Sequence, residues 1–101
     1  MWFRGRRILD AAIKDLLVRG MESAEQVVVT GCSAGGIAVV LNADHIRALL
    51  PPTVKKYRAI PFGAMLPDIS NADGVPTGPA MYRVAFEYNN MTAHLLRRCL
   101  D

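Results

Sequence analysis

The chain has 101 residues, of which 51% are hydrophobic and 21% charged, with a formal net charge of +3; this leaves room for one small domain with a modest core and excludes a low-complexity disordered polymer. The excess charge sits in short clusters, Arg4, Arg6 and Arg7 at the front and Arg97 and Arg98 at the back, which read as solvated helix ends rather than a nucleic-acid surface because no aromatic residues are interleaved with them. No apolar run approaches the ~20 residues of a membrane span, and two cysteines, Cys32 and Cys99, make neither a disulfide framework nor a zinc site.

The stretch Met1 to Arg7 lacks the apolar core of a signal peptide. Residues 6–19 carry helical spacing, with Ile8, Leu9, Ala12, Ile13, Leu16 and Leu17 on one stripe and Asp10, Lys14, Asp15 and Arg19 on the other. Gly20 is a natural stop, and Ser23 opens a short turn. Val27-Val28-Val29, between Gln26 and Thr30, predicts a strand, since consecutive β-branched residues disfavour helix. The run does not alternate, so a strand covered on both faces is expected. Residues 31–36 read as a small-residue turn and 37–50 as a second helix, ended by Pro51-Pro52. A second strand is expected over 54–62, with Pro61 weakening its end. Residues 63–80 are punctuated by Pro67, Gly74, Pro76, Gly78 and Pro79. A last helix is expected over about 81–100. Helix, strand, tight turn and helix within fifty residues define an α/β class.

Gly31-Cys32-Ser33-Ala34-Gly35 fits G-x-S-x-G. In that pattern a strained strand-to-helix turn presents the serine hydroxyl, and glycines two residues on either side avoid a collision within the turn. Ser33 would be the nucleophile. The N-terminus of the following helix favours a developing oxyanion, with the Ala34 N–H as one donor. Two other uses of the 31–36 run stay open: Ser33 capping the helix, and a phosphate-cradling turn. The latter lacks both the Lys-Ser/Thr pair of a P-loop and the G-x-G-x-x-G spacing.

A serine hydrolase also needs a base and an acid, in the order Ser, Asp or Glu, His for this fold class. Asp44-His45 lies too close behind the elbow, and His45 reads as a helix-surface residue. Asp68 followed by His94 has the right order, but His94 falls inside the expected last helix.

Phe3-Arg4-Gly5-Arg6-Arg7-Ile8, Asp15-Leu16-Leu17, Ala24-Glu25-Gln26, Gly31-Cys32-Ser33-Ala34-Gly35-Gly36 and Val40-Leu41-Asn42-Ala43-Asp44, followed by Leu49-Leu50-Pro51, resemble the central block of the pectin acetylesterase/Notum family. The resemblance is strong over 2–52 and weaker over 54–70. It is faint over the last helix, where Asn89 to Cys99 is similar to a family segment ending in a cysteine. It implies a partial α/β-hydrolase fold: helix, strand, nucleophile elbow and helix, with a further strand and a C-terminal helix. Residues 1–101 would then be a fragment of a single hydrolase domain whose flanking parts are absent.

The activity implied is carboxylic ester hydrolysis through a serine acyl-enzyme, with no metal and no organic cofactor. Plant and microbial members remove acetyl groups from pectin, and the Notum branch removes a palmitoleoyl group from Wnt proteins. The implied partner is therefore an acylated polysaccharide or a lipidated protein, not a nucleic acid. Ser33 aligns with the family nucleophile and Ala34 with an oxyanion donor, inside an elbow made by Gly31, Gly35 and Gly36. The family's triad Asp and His lie further along than this chain extends, and a second oxyanion contribution comes from a glycine-rich loop upstream of Met1. Members enter the secretory pathway and carry disulfides; the sequon Asn90-Met91-Thr92 suits that setting.

One run departs from the family. Phe62-Gly63-Ala64-Met65 stands where the family has an Asp-Ala/Ser-Gly-aromatic stretch, with Phe62 in place of the acid. That departure favours an alternative, a non-catalytic α/β module binding a partner or a polysaccharide. The chain alone is expected to be marginally stable and to hydrolyse little or nothing.

Overall fold

A computed structural model of the chain describes residues 4–65, 67–89 and 91. The elements run α1 (Gly5–Val18), a 3-10 turn (Met21–Ser23), β1 (Gln26–Cys32), α2 (Ala34–Leu49), β2 (Lys56–Phe62) and α3 (Gly78–Tyr88). They form two compact units, Met1–Ala64 and Met65–Asp101. Helices mixed with a parallel two-stranded sheet are the α/β class the residues predicted, as a partial α/β-hydrolase-type fold.

In the first unit, α1 turns Leu9, Ile13 and Leu17 inward, one position per turn. The other half of the expected stripe faces out; Ile8 is 66% exposed and Leu16 is exposed too. The helix stops at Gly20, whose φ of 116° a glycine adopts without strain. Ser23 then donates from its hydroxyl to the Gly20 carbonyl at 2.9 Å, closing the 3-10 turn.

β1 and β2 pair in parallel, Gln26 opposite Lys56 through Cys32 opposite Phe62. Their starts are tied together: the Lys55 and Lys56 amides both donate to the Glu25 carbonyl at 2.8 and 3.0 Å, and the Thr53 hydroxyl donates to the Glu22 carbonyl at 2.6 Å. α2 covers one face of this pair. The buried core holds Ile13 from α1, Val39 and Ile46 from α2, and Leu50 and Val54 from the α2–β2 connection; Val27, Val29 and Tyr57 pack against the cluster of Ile13, Ile46, Leu50 and Val54. Val54 is fully buried.

The strand expected to be covered on both faces is covered on one. Val27 and Val29 are half-buried, whereas Val28 is 59% exposed and shares its face with Ile60 and Phe62, 41% and 59% exposed. The physical reason is a missing layer: among the described residues, α2 is the helix packed on the sheet, so alternation replaces two-sided burial.

Three boundaries also differ from expectation. α2 begins at Ala34, not at 37, because the turn is a single residue, Ser33. β2 runs through Pro61, paired opposite Gly31. The Phe62 carbonyl points at β1, so by the alternation of a parallel ladder the Pro61 nitrogen faces the unpaired edge, where a missing N–H costs nothing.

The third shifted boundary is α3, in the second unit. It begins at Gly78 rather than 81, with proline in its first turn, where no intrahelical N–H is required. Ahead of it, Asn71 organises a turn by accepting from the Asp73 and Val75 amides at 3.0 and 2.9 Å. That turn closes an isolated antiparallel bridge between Ser70 and Pro76. The far part of the expected last helix, with His94, Cys99 and Thr92 of the sequon, lies outside the described residues, as does Asn90.

Candidate active site

The strand–turn–helix at residues 26–49 places Ser33 at the carboxyl end of β1 and the amino end of α2. Its backbone has φ 53° and ψ −119°, and it is the one non-glycine residue with positive φ among those described. Such a conformation is sparsely populated for a residue with a β-carbon and costs on the order of 1–3 kcal/mol. Two backbone bonds span it. The Ser33 N–H donates to the Phe62 carbonyl at 2.9 Å, extending the parallel ladder by one residue, and the Ser33 carbonyl accepts from the Ile37 N–H at 3.1 Å, opening the helix.

The residue is exposed, and its side chain makes no capping hydrogen bond. The alternative in which the hydroxyl serves as a helix cap is therefore absent from this geometry. Ala34 is the first residue of α2, so its N–H belongs to the helical first turn that lacks intrahelical acceptors. That N–H and the positive end of the helix dipole both lie beside Ser33.

The glycines divide differently from expectation. A β-carbon on Gly31 would run into the Gly35 carbonyl group, with the carbonyl carbon 2.5 Å away. One on Gly36 would sit 2.7 Å from both the Ala64 β-carbon and the Phe62 oxygen. One on Gly35 would meet nothing within 4 Å. The collision thus constrains residue 31 against the backbone of residue 35, and residue 36 against the exit of β2; at 35 the missing β-carbon points into open space.

Within the first unit, the candidate base His45 does not reach Ser33. His45 is half-buried between helices, not on an open surface, with its Nε2 2.6 Å from Asp10 Oδ1 on α1. It also stands twelve residues along α2 from Ser33, about 18 Å at the helical rise. The hydrogen bond from His45 holds the Asp10 carboxyl below its ordinary value of 3.8, with the charges of His45, Arg6 and Lys14 acting the same way and burial opposing them. Next to this pair, Arg6 donates to the Asn42 side-chain oxygen. Tyr57 donates to the Ala43 carbonyl at 2.9 Å, and burial pushes its phenol up, helped by the charge of Asp44. Asp68 is exposed in the second unit, and its expected partner His94 is outside the described residues. Cys32 is a free, exposed thiol on β1. Among the described residues no cluster of three metal-ligating side chains occurs, and no helix is long and apolar enough to cross a membrane.

Residue-by-residue reasoning missed the contribution of β2. The carbonyl of Phe62 and the β-carbon of Ala64 line the elbow from beneath, although their run had stood out only as a departure from a family pattern. A backbone acceptor leaves no signature in side-chain identity. Gly63, with φ 56°, was the one legible hint of a turn there.

Helices and a parallel strand pair make this a partial α/β fold. The pectinacetylesterase family model matches residues 1–101, and the chain belongs to that family. It is 31% identical to pectin acetylesterase 5 of Arabidopsis thaliana over 100 residues, 99% of this chain and 23% of that protein. Pectin acetylesterase 7 of the same plant is 43% identical over 53 residues, 52% of this chain and 14% of that protein. The palmitoleoyl-protein carboxylesterase notum2 of Xenopus laevis is 41% identical over 54 residues, 54% of this chain and 11% of that protein. The chain thus spans less than a quarter of the length of these relatives. No solved structure matches it.

Proposed function

We propose that this segment supplies the nucleophile to a carboxylic ester hydrolase that works through a serine acyl-enzyme. The observation that carries the proposal is the backbone of Ser33: a strained, exposed serine between β1 and the amino end of α2. Strain of this kind is expected where a side chain must be presented rather than packed. In the reaction, an imidazole takes the Ser33 proton and the oxygen attacks the ester carbonyl. The Ala34 N–H is one donor to the oxyanion. Loss of a donor of this type costs about 3 kcal/mol of barrier. The alcohol leaves, and water releases the acid from Ser33.

No described imidazole reaches Ser33, since His45 is engaged by Asp10. The base, its carboxylate partner and a second oxyanion donor would come from other parts of a family-length domain. The substrate would be an acyl group, acetyl or longer, on a polysaccharide or a protein, as the names of the relatives suggest, and the setting secretory. The 101-residue chain by itself would be inactive.

The second reading, a non-catalytic binding module, is favoured by Phe62, which the family resemblance sets where an acid is expected. Hydrolysis of p-nitrophenyl acetate by a family-length protein carrying this segment decides between them. The esterase reading expects turnover that falls at least about a thousandfold in Ser33→Ala. Equal rates with and without Ser33 would leave the binding module.

A further inference from the structure

We propose that Gly63 and Ala64, at the exit of β2, are positioning residues that hold Ser33 in its strained conformation, acting through the Phe62 carbonyl and through Gly36. Three contacts meet at this point. The Phe62 carbonyl accepts the Ser33 N–H at 2.9 Å. The Ala64 β-carbon lies over Gly36, so close that a β-carbon there would be 2.7 Å from it. Gly63 turns the chain between them at φ 56°, which fixes where the Phe62 carbonyl points and brings Ala64 back over α2. Gly36 is itself buried, and its N-terminal neighbours in α2 are the donors beside Ser33.

Ser33 is therefore gripped on both sides, by the ladder bond to β2 and by the seating of the first turn of α2 against Ala64. A serine with φ 53° relaxes toward negative φ once either grip loosens, because nothing intrinsic to the residue favours that conformation. The Phe62–Met65 run departs from the family in side chains, yet Phe62 holds the elbow with a carbonyl that any residue would supply. The demand falls on Gly63, for its torsion, and on Ala64, for its size. The bearing of this inference on catalysis rests on Ser33 being the nucleophile; the geometry does not, and its test reads backbone exchange, so that a failure of the esterase assay and a failure here are separable.

Amide hydrogen exchange on the full chain, resolved by residue, provides the test, with Val29 in the middle of β1 as the internal reference. In Gly63→Ala, where a left-handed torsion is imposed on a β-carbon, and in Ala64→Val, where a larger side chain presses on Gly36, the Ser33 and Ile37 amides are expected to exchange about tenfold faster relative to Val29 than in the unmodified chain. Gly63→Asn, which tolerates positive φ, and Phe62→Leu, which keeps the carbonyl, are expected to stay within about twofold. A variant whose Ser33 and Ile37 amides move only as Val29 moves removes its residue from the proposal. Both doing so, or Phe62→Leu matching Gly63→Ala, overturns it.

Discussion

Ser33 pays for its position in torsion, and that makes its energetics separable from its chemistry. Glycine adopts φ 53° freely, so Ser33→Gly is expected to stabilise the first unit by about 1 kcal/mol in urea titration, while Ser33→Ala, which keeps the β-carbon, leaves stability nearly unchanged. The neighbouring glycines give a sharper contrast. Gly35→Ala has open space and a gain in helix propensity, so it is expected to be neutral or stabilising by up to about 1 kcal/mol. Gly36→Ala drives a β-carbon into Ala64 and the Phe62 oxygen, and is expected to destabilise by about 2 kcal/mol in the same titration. The G-x-S-x-G spacing made the strained strand-to-helix turn at Ser33 and the tight fit at Gly31 legible in the sequence. The roles of Gly35 and Gly36 were not, because which of two adjacent glycines meets a neighbour depends on Phe62 and Ala64, at the exit of a strand remote in sequence.

At the level of elements, the helix α1 is joined to α2 by apolar packing of Ile13 on Ile46 and by two polar ties, Asp10 to His45 and Arg6 to Asn42. Asp10 has its folded value depressed, mainly by the His45 hydrogen bond. Its contribution to stability is therefore complete above its ordinary value of 3.8 and is lost as pH falls below it. Asp10→Asn is expected to flatten the acid limb of a stability–pH curve measured by denaturation between pH 5 and 2, and a limb of unchanged steepness would count against the tie. The existence and order of α1, β1, α2 and β2 were legible from periodicity and from the Val27–Val29 run. Boundaries were less so. Gly35-Gly36 has poor helix propensity, yet both lie in the helix, and the close fit of Gly36 under Ala64 demands a small residue at 36. Pro61 lies within β2 because, among the described residues, the strand has a partner on one edge alone. The Asp10–His45 pair had no sequence signal, since residues thirty-five apart on two helices meet only once the helices cross.

For the molecule as a whole, a two-stranded parallel sheet with one helical layer among the described residues leaves Val28, Ile60 and Phe62 exposed on a common face. Parallel sheets are ordinarily covered on both faces, and an uncovered apolar face promotes association. The isolated chain is accordingly expected to sediment as oligomers with a broad thermal transition, and Ile60→Lys with Phe62→Lys to shift it toward monomer. A monodisperse monomer with a sharp cooperative melt would contradict this. The chain is proposed to supply the nucleophile and not the whole reaction because it spans 23% of pectin acetylesterase 5 and its described histidine is engaged by Asp10. The most direct measurement is fluorophosphonate labelling of a family-length protein carrying this segment, with the adduct located by peptide mass spectrometry. The account predicts a single phosphonylated site at Ser33, lost in Ser33→Ala and absent from the isolated chain; an unlabelled Ser33, or an adduct on another serine, would contradict it.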